Sequence, residues 1–123
     1  MYYILFGGKY SRENLDLCHK LKSHWVTFDN NTDNFLMALS LMNRNNPSAY
    51  NLVLFDPYIM KRPERFQYLG KILKLNHGQR KIAVIKDTKL EESVTLYRNK
   101  YKFLELSRES NLVVAINQII SAN

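Results

Sequence analysis

Five short runs of branched and aromatic residues, each followed by a stretch of helical periodicity, constrain this chain more than any other feature. The runs are Tyr2-Tyr3-Ile4-Leu5-Phe6, His24-Trp25-Val26-Thr27-Phe28, Leu52-Val53-Leu54-Phe55-Asp56, Lys81-Ile82-Ala83-Val84-Ile85-Lys86 and Lys102-Phe103-Leu104-Glu105-Leu106. Their composition is that of strands. After them, apolar residues recur at three- and four-residue spacing, which predicts helices over 11–22, from Thr32 or Asp33 to about 43, over 63–75, over 90–99 and over 112–120. Ser11 and Ser110 are the expected caps of the first and last of these, and Pro63 fits the first turn of the third. Strand and helix alternating through short connections demand a parallel sheet with helices on both faces. Two architectures satisfy that demand: a doubly wound sheet of order 2-1-3-4-5, or a more regular nucleotide-binding sheet. At 123 residues the α/β chain is expected to form a single domain over 1–123, with a core large enough to need no disulfide or metal.

The third run is almost wholly apolar, as a central strand covered on both faces must be. It ends in a carboxylate and is broken by Pro57. Asp56 is therefore expected at the exposed end of that strand, on the carboxyl edge where open α/β sheets place their sites. Asp before Pro also opens ordinary turns, and that plainer role stands beside the functional one.

Composition excludes several classes. The apolar fraction of 46% and charged fraction of 24% are those of an ordinary globular protein. A single cysteine, Cys18, has no partner for an internal disulfide, which points to a reducing compartment. No stretch is long and apolar enough for a membrane span, and the first residues lack the basic region of a signal peptide, so a cytoplasmic protein is expected. His19, His24 and His77 fall on different elements, so no metal cluster is expected. Nor does any nucleophile and base arrangement suggest an enzyme. The net charge of +7 lies wholly in the second half: residues 1–56 carry five Lys or Arg against five Asp or Glu, whereas thirteen face six from residue 57 onward. Such asymmetry suits either a surface for an acidic or nucleic-acid partner or plain solubility.

Two patterns carry a family resemblance. The strand ending in Asp56 is similar to the strand that ends in the phospho-accepting aspartate of receiver domains, the input modules of bacterial response regulators in two-component signal transduction. The last helix, Leu112-Val113-Val114-Ala115-Ile116-Asn117-Gln118-Ile119-Ile120, resembles the final helix of that family position by position. The resemblance spans essentially the whole chain and implies a flavodoxin-like (βα)5 sheet of order 2-1-3-4-5. It also implies where the chemistry should be, and there the chain departs from the family. The acid pair that holds Mg²⁺ in a receiver falls on Gly7 and Gly8, followed by Lys9. The hydroxyl expected after the fourth strand falls on Lys86, with Thr88 two places late. The lysine expected at the end of the fifth strand falls on Glu105, and no Lys or Arg occurs from Phe103 through Ser107.

Phosphoryl transfer to a carboxylate relies on positioning and on cations that neutralise the transferring group. Without those residues the resemblance implies a pseudo-receiver that takes no cofactor, with Lys9 and Lys86 flanking Asp56 and neutralising it directly. It signals through protein contacts without Mg²⁺-dependent phosphorylation, within the phosphorelay class of pathways that the family serves. The alternative is a working receiver that accepts a phosphoryl group on Asp56 and needs Mg²⁺. A second alternative is a small basic binder of nucleotide or nucleic acid, using Gly7-Gly8-Lys9-Tyr10-Ser11 or the cations after residue 60. Among those cations, Lys61, Arg62, Arg65, Lys71, Lys74, Arg80 and Lys81 read best as a solvated surface around the third helix. In receivers the face made by the fourth helix, fifth strand and last helix commonly carries partner contacts. Here that implies a protein partner or a homodimer through Lys89, Tyr97, Arg98, Tyr101 and Lys102, with nucleic acid reached only by the basic surface or an output domain outside this sequence, and with no membrane contact.

Overall fold

The computed structural model describes residues 2–45, 51–59, 64–75, 80–87, 97–98 and 100–122. Its strands are β1 (Tyr3–Gly7), β2 (Trp25–Asp29), β3 (Leu52–Phe55), β4 (Lys81–Lys86) and β5 (Leu104–Ser107). They form a parallel sheet of order β2-β1-β3-β4-β5, with Gly7 opposite both Asp29 and Phe55, and Lys86 opposite Ser107. The helices are α1 (Arg12–Lys20), α2 (Thr32–Asn45), α3 (Glu64–Leu75) and α4 (Leu112–Ser121), and Pro57–Ile59 makes one 3-10 turn after β3. The doubly wound order is the one the family resemblance implies.

Strand pleating sorts the core into two layers, because successive side chains point to opposite faces. Leu5, Val53, Phe55, Ile82 and Val84 face α2 and α3 with Phe35, Leu39, Leu69 and Ile72. Ile4, Phe6, Leu52, Leu54, Ala83 and Ile85 face α1 and α4 with Leu17, Leu21 and Ile116. All four residues of β3 are completely buried, as its apolar run demands. Helix α1 begins where expected: Ser11 Oγ accepts the Asn14 backbone N–H at 3.2 Å.

Three expectations need correction. The cap of α4 is Asn111, whose Oδ1 accepts the Val114 N–H at 3.2 Å; Ser110 instead donates its hydroxyl to the Ser107 carbonyl. The fifth strand lies two residues beyond the predicted start, at Leu104, and excludes Lys102. Tyr101 is held in a turn by its N–H to the Tyr97 carbonyl, so the chain joins the ladder only after crossing Lys102 and Phe103. Arg80, expected on a solvated surface, is 7% exposed, and burial pushes its guanidinium pKa down. The predicted helix over 90–99 lies outside the described residues except for Tyr97 and Arg98, both helical. Lys61, Arg62, Thr88 and Lys89 also lie outside them. No helix among the described residues is long and apolar enough to cross a membrane.

Candidate functional site

Asp56 follows β3 directly, and its backbone N–H donates to the Gly7 carbonyl at 2.8 Å, which fixes it beside the end of β1. The carboxylate is at the expected edge of the sheet but is not exposed: the residue is 1% accessible. A buried carboxylate needs partners, and the chain supplies three. Asn14 Nδ2 donates to Oδ2 at 2.9 Å, the Tyr58 backbone N–H donates to Oδ1 at 3.1 Å, and Arg108 Nη2 stands 3.0 Å from the same Oδ1. The guanidinium is out of line for a hydrogen bond, so it acts on Asp56 through its charge.

Neither Asn14 nor Arg108 was singled out by the sequence patterns, yet they define the site. Asn14 takes a place on the buried stripe of α1 at the spacing of Leu17 and Leu21, and is 1% exposed. A polar residue in that phase is the signal that could have found it. Its Nδ2 also donates to the Lys9 carbonyl at 2.7 Å, so both amide hydrogens are committed and the amide orientation is fixed. Its Oδ1 is buried with no hydrogen-bond partner among the described residues. Arg108 is the first cation after β5, one place beyond the window in which the family lysine was sought. Its backbone N–H donates to the Lys86 carbonyl at 2.9 Å, which aims the side chain across the carboxyl edge toward Asp56. At the outer side Nη1 stands 3.6 Å from Glu13, an exposed residue.

Lys86 does not neutralise Asp56. Its ammonium is 3.2 Å from Glu105, which also receives a bidentate grip from Arg98 at 2.6 and 2.9 Å. Lys86 lies two places beyond Val84, the ladder partner of Glu105, so the pleat puts Lys86 and Glu105 on the same face of the sheet. The Arg98 hydrogen bonds, helped by Lys86, hold the Glu105 carboxyl below the usual glutamate range. Because the folded form binds this proton less readily than the unfolded chain, Glu105 stabilises the fold above its unfolded pKa, and that contribution is lost as pH falls through the lowered folded value. A side-chain NMR titration is expected to give Glu105 a midpoint below that of an unstructured glutamate, and Arg98→Met is expected to move it upward. An unchanged midpoint in the variant would remove Arg98 as the cause.

Gly7 and Gly8 are places where an added side chain would force a packed neighbour to move. A Cβ on Gly7 would lie 2.6 Å from the Phe35 ring, and one on Gly8 would lie 2.8 Å from Phe6 and 3.0 Å from Asn14 Nδ2. The space that an acid pair would occupy is filled by Phe35, Phe6 and Asn14. Lys9 lines the same pocket as Asp56, with no ion pair to it among the described residues. That pocket has a volume of about 300 Å³ and balances Lys9, Arg12 and Arg108 against Glu13, Asp56 and Asp87, so it makes no net anion cradle. The Tyr58 hydroxyl closes one wall by donating to Asp87 at 2.6 Å. Mg²⁺ keeps several waters but needs one or two carboxylates free to bind it, and the carboxylate at the centre of this pocket is not free. Both Asp56 oxygens are engaged by donors or charge, and no group of three or more His, Cys, Asp or Glu among the described residues could hold a metal ion.

On the expected partner face, Tyr97 and Tyr101 turn partly into the core, with their rings 6.2 Å apart. Arg98 is committed to Glu105, and Lys102 is exposed.

No family model and no curated protein matches this sequence. Solved structures do. A CheY-like receiver domain protein from Methanospirillum hungatei JF-1 matches with a TM-score of 0.74 at 17% identity, over 99% of this chain and 93% of that one. A response regulator receiver domain protein from Clostridium thermocellum matches with a TM-score of 0.73 at 18% identity, over 99% and 96%. NtrX from Brucella abortus matches with a TM-score of 0.66 at 15% identity, over 97% of this chain but 26% of NtrX. Likeness at such identity is a likeness of fold, and by fold this chain is a receiver-like domain.

Proposed function

We propose that this chain is a pseudo-receiver: a signalling domain that works through protein contacts, takes no cofactor and is not switched by Mg²⁺-dependent phosphorylation of Asp56. The observation that carries this is the internal capping of Asp56, whose buried carboxylate already has the Asn14 amide and the Arg108 guanidinium as partners. In a phosphorylated receiver a metal and a lysine meet the carboxylate and the incoming phosphoryl group. Here an arginine of the chain itself stands on the oxygen, and Phe35, Phe6 and Asn14 fill the space beside Gly7 and Gly8. The Arg108 guanidinium neutralises the Asp56 carboxylate permanently, which favours one conformation where a switch needs two of comparable energy. Output then depends on which partner docks and on how much of the domain is present.

An amide NMR titration with Mg²⁺ followed by beryllofluoride tests the proposal. Gly7, Gly8, Asp56 and Arg108 are expected to stay unmoved at millimolar Mg²⁺, with no further change on beryllofluoride. Saturable shifts at these amides, abolished by Asp56→Asn, would show a working phosphoacceptor and sink the proposal.

A further inference from the structure

β2 is an outer strand of the sheet, and its ladder runs on one side only, to β1. Parallel pairing turns both backbone groups of alternate residues the same way. The Trp25 N–H donates to the Tyr2 carbonyl at 3.0 Å and the Asp29 carbonyl accepts the Gly8 N–H at 3.1 Å, so Trp25, Thr27 and Asp29 bond toward β1. The N–H and C=O of Val26 and Phe28 therefore point away from the sheet, with no backbone partner among the described residues. Natural edges are guarded by lysine, proline or a bulge. Trp25-Val26-Thr27-Phe28 contains neither residue, and its register against β1 is unbroken. The strand at the other edge, β5, does carry a charge, Glu105, held by Arg98 and Lys86. Nor does α2 cover the β2 edge: Trp25 is 59% exposed, stacked on Tyr3 with ring centroids 6.4 Å apart, and Thr27 on the same face is exposed as well.

We propose that β2 pairs antiparallel with β2 of a second copy of this chain, across a two-fold axis at Thr27, joining the two sheets into one. The proposal goes beyond the reading of Asp56 and does not rest on it. Charge complementarity selects the occupant. The exposed Lys20 and Lys22 precede the strand, whereas the half-buried Asp29 ends it and the exposed Asp33 follows. A two-fold antiparallel pair sets the basic end of each copy against the acidic end of the other, while a parallel pair would set like against like. Residues 1–56 balance five Lys or Arg with five Asp or Glu, so the two copies meet through their neutral halves and the surplus of +7 stays in the rest of the chain. Backbone geometry selects the register. With the axis at Thr27, Val26 of each copy exchanges both hydrogen bonds with Phe28 of the other. Centring on Val26 would call on the His24 N–H, which already donates to the Leu21 carbonyl at 2.9 Å, and centring on Phe28 would call on Asn30, past the end of the strand. Thr27 then faces itself in a pair without backbone hydrogen bonds, where opposed side chains come closest.

Sedimentation equilibrium of the whole chain between about 10 μM and about 1 mM is expected to show a monomer–dimer equilibrium. Amide exchange at the top of that range is expected to protect Val26 and Phe28 relative to the dilute protein, while Trp25, Thr27 and Asp29, bonded to β1 in either state, keep the protection they had. Thr27→Lys and Thr27→Glu each place like charges opposite one another at the axis, and each is expected to weaken the dimer at least about tenfold. An equimolar mixture of the two variants is expected to dimerise again, because the axis then opposes unlike charges. Their thermal midpoints in dilute solution, within a few degrees of the native protein, show that the fold is kept. A monomer throughout the concentration range, a dimer indifferent to Thr27→Lys, a mixture that stays monomeric, or protection gained over Leu104–Ser107 in place of Val26 and Phe28 would each overturn the proposal. None of these outcomes involves Asp56, so failure here and failure in the beryllofluoride titration are read separately.

Discussion

Replacing Arg108 with alanine is expected to destabilise the protein by about 3 kcal/mol, the low end of the cost of removing one partner from a buried ion pair. Asp56 is 1% exposed and would keep only the Asn14 amide and the Tyr58 N–H, both neutral donors, for a full negative charge. The second contact of Arg108, to Glu13, adds little, because Glu13 is exposed and such pairs contribute roughly 0–1 kcal/mol. Glu13→Gln is therefore expected to leave the urea midpoint almost unmoved. Asp56→Asn removes the charge while keeping an acceptor for Tyr58, so in the Arg108→Ala background it should recover about half of the loss, with a coupling energy of at least ~1.5 kcal/mol in the double-mutant cycle. Urea denaturation of the four proteins measures this directly. An Arg108→Ala loss below about 1 kcal/mol, additive with Asp56→Asn, would mean that the guanidinium does not compensate the buried charge. The proposed function would then lose its main support.

How much of this could be read without coordinates depends on the range of each interaction. The strands around Leu5, Val53 and Val84 declared themselves because burial on both faces leaves a local apolar run, and the parallel order followed from short connections alone. The position of Asp56 was legible for the same reason. Its burial was not, since the residues that cover it come from positions 14 and 108, and nothing in the segment 52–58 encodes them. Asn14 could have been suspected from its phase on α1, where Leu17 and Leu21 mark the buried side. Arg108 was hidden because β5 runs to Ser107, one residue past the end its composition indicates, and the first cation after it falls one place outside the searched window. At the other end the pair Lys102-Phe103 has strand composition, but the turn at Tyr97 and Tyr101 holds that stretch out of the ladder. Edge strands are weakly specified by pattern, since one side of the ladder and much of one face carry no packing constraint. Lys86 was expected on Asp56 because sequence spacing gives the strand end but not the direction of the side chain there. The competition between Asp56 and Glu105 for a cation is decided by three-dimensional proximity, and it gives Arg108 to the former and Lys86 with Arg98 to the latter.

Gly7 and Phe35 are expected to behave as one unit. Phe35 is fully buried, its ring stacked 5.7 Å from that of Phe55, and truncation to alanine should cost about 4 kcal/mol through lost transfer energy and the cavity left behind. Gly7→Ala on its own should cost about 2 kcal/mol, because a Cβ 2.6 Å from a ring atom forces a packed aromatic to move. Together the two losses should not add. With Phe35 truncated, the methyl of Gly7→Ala enters vacated space and gains from the reduced entropy of the unfolded chain, an effect of roughly 0.4–1 kcal/mol where the backbone tolerates it. Gly7→Ala is thus expected to change sign, from destabilising in the native background to neutral or stabilising beside Phe35→Ala. Gly7→Asp should be worse than Gly7→Ala in the native background, since it also presses a carboxylate against the buried Phe35 ring. Equilibrium denaturation across the cycle is the measurement. Additive costs for Gly7→Ala and Phe35→Ala would mean that the ring yields freely and that the space beside Gly7 is open to a side chain. The sign change would mean that this core has traded the acid pair of a receiver for an aromatic ring, so that the metal site cannot be recovered by restoring an aspartate alone.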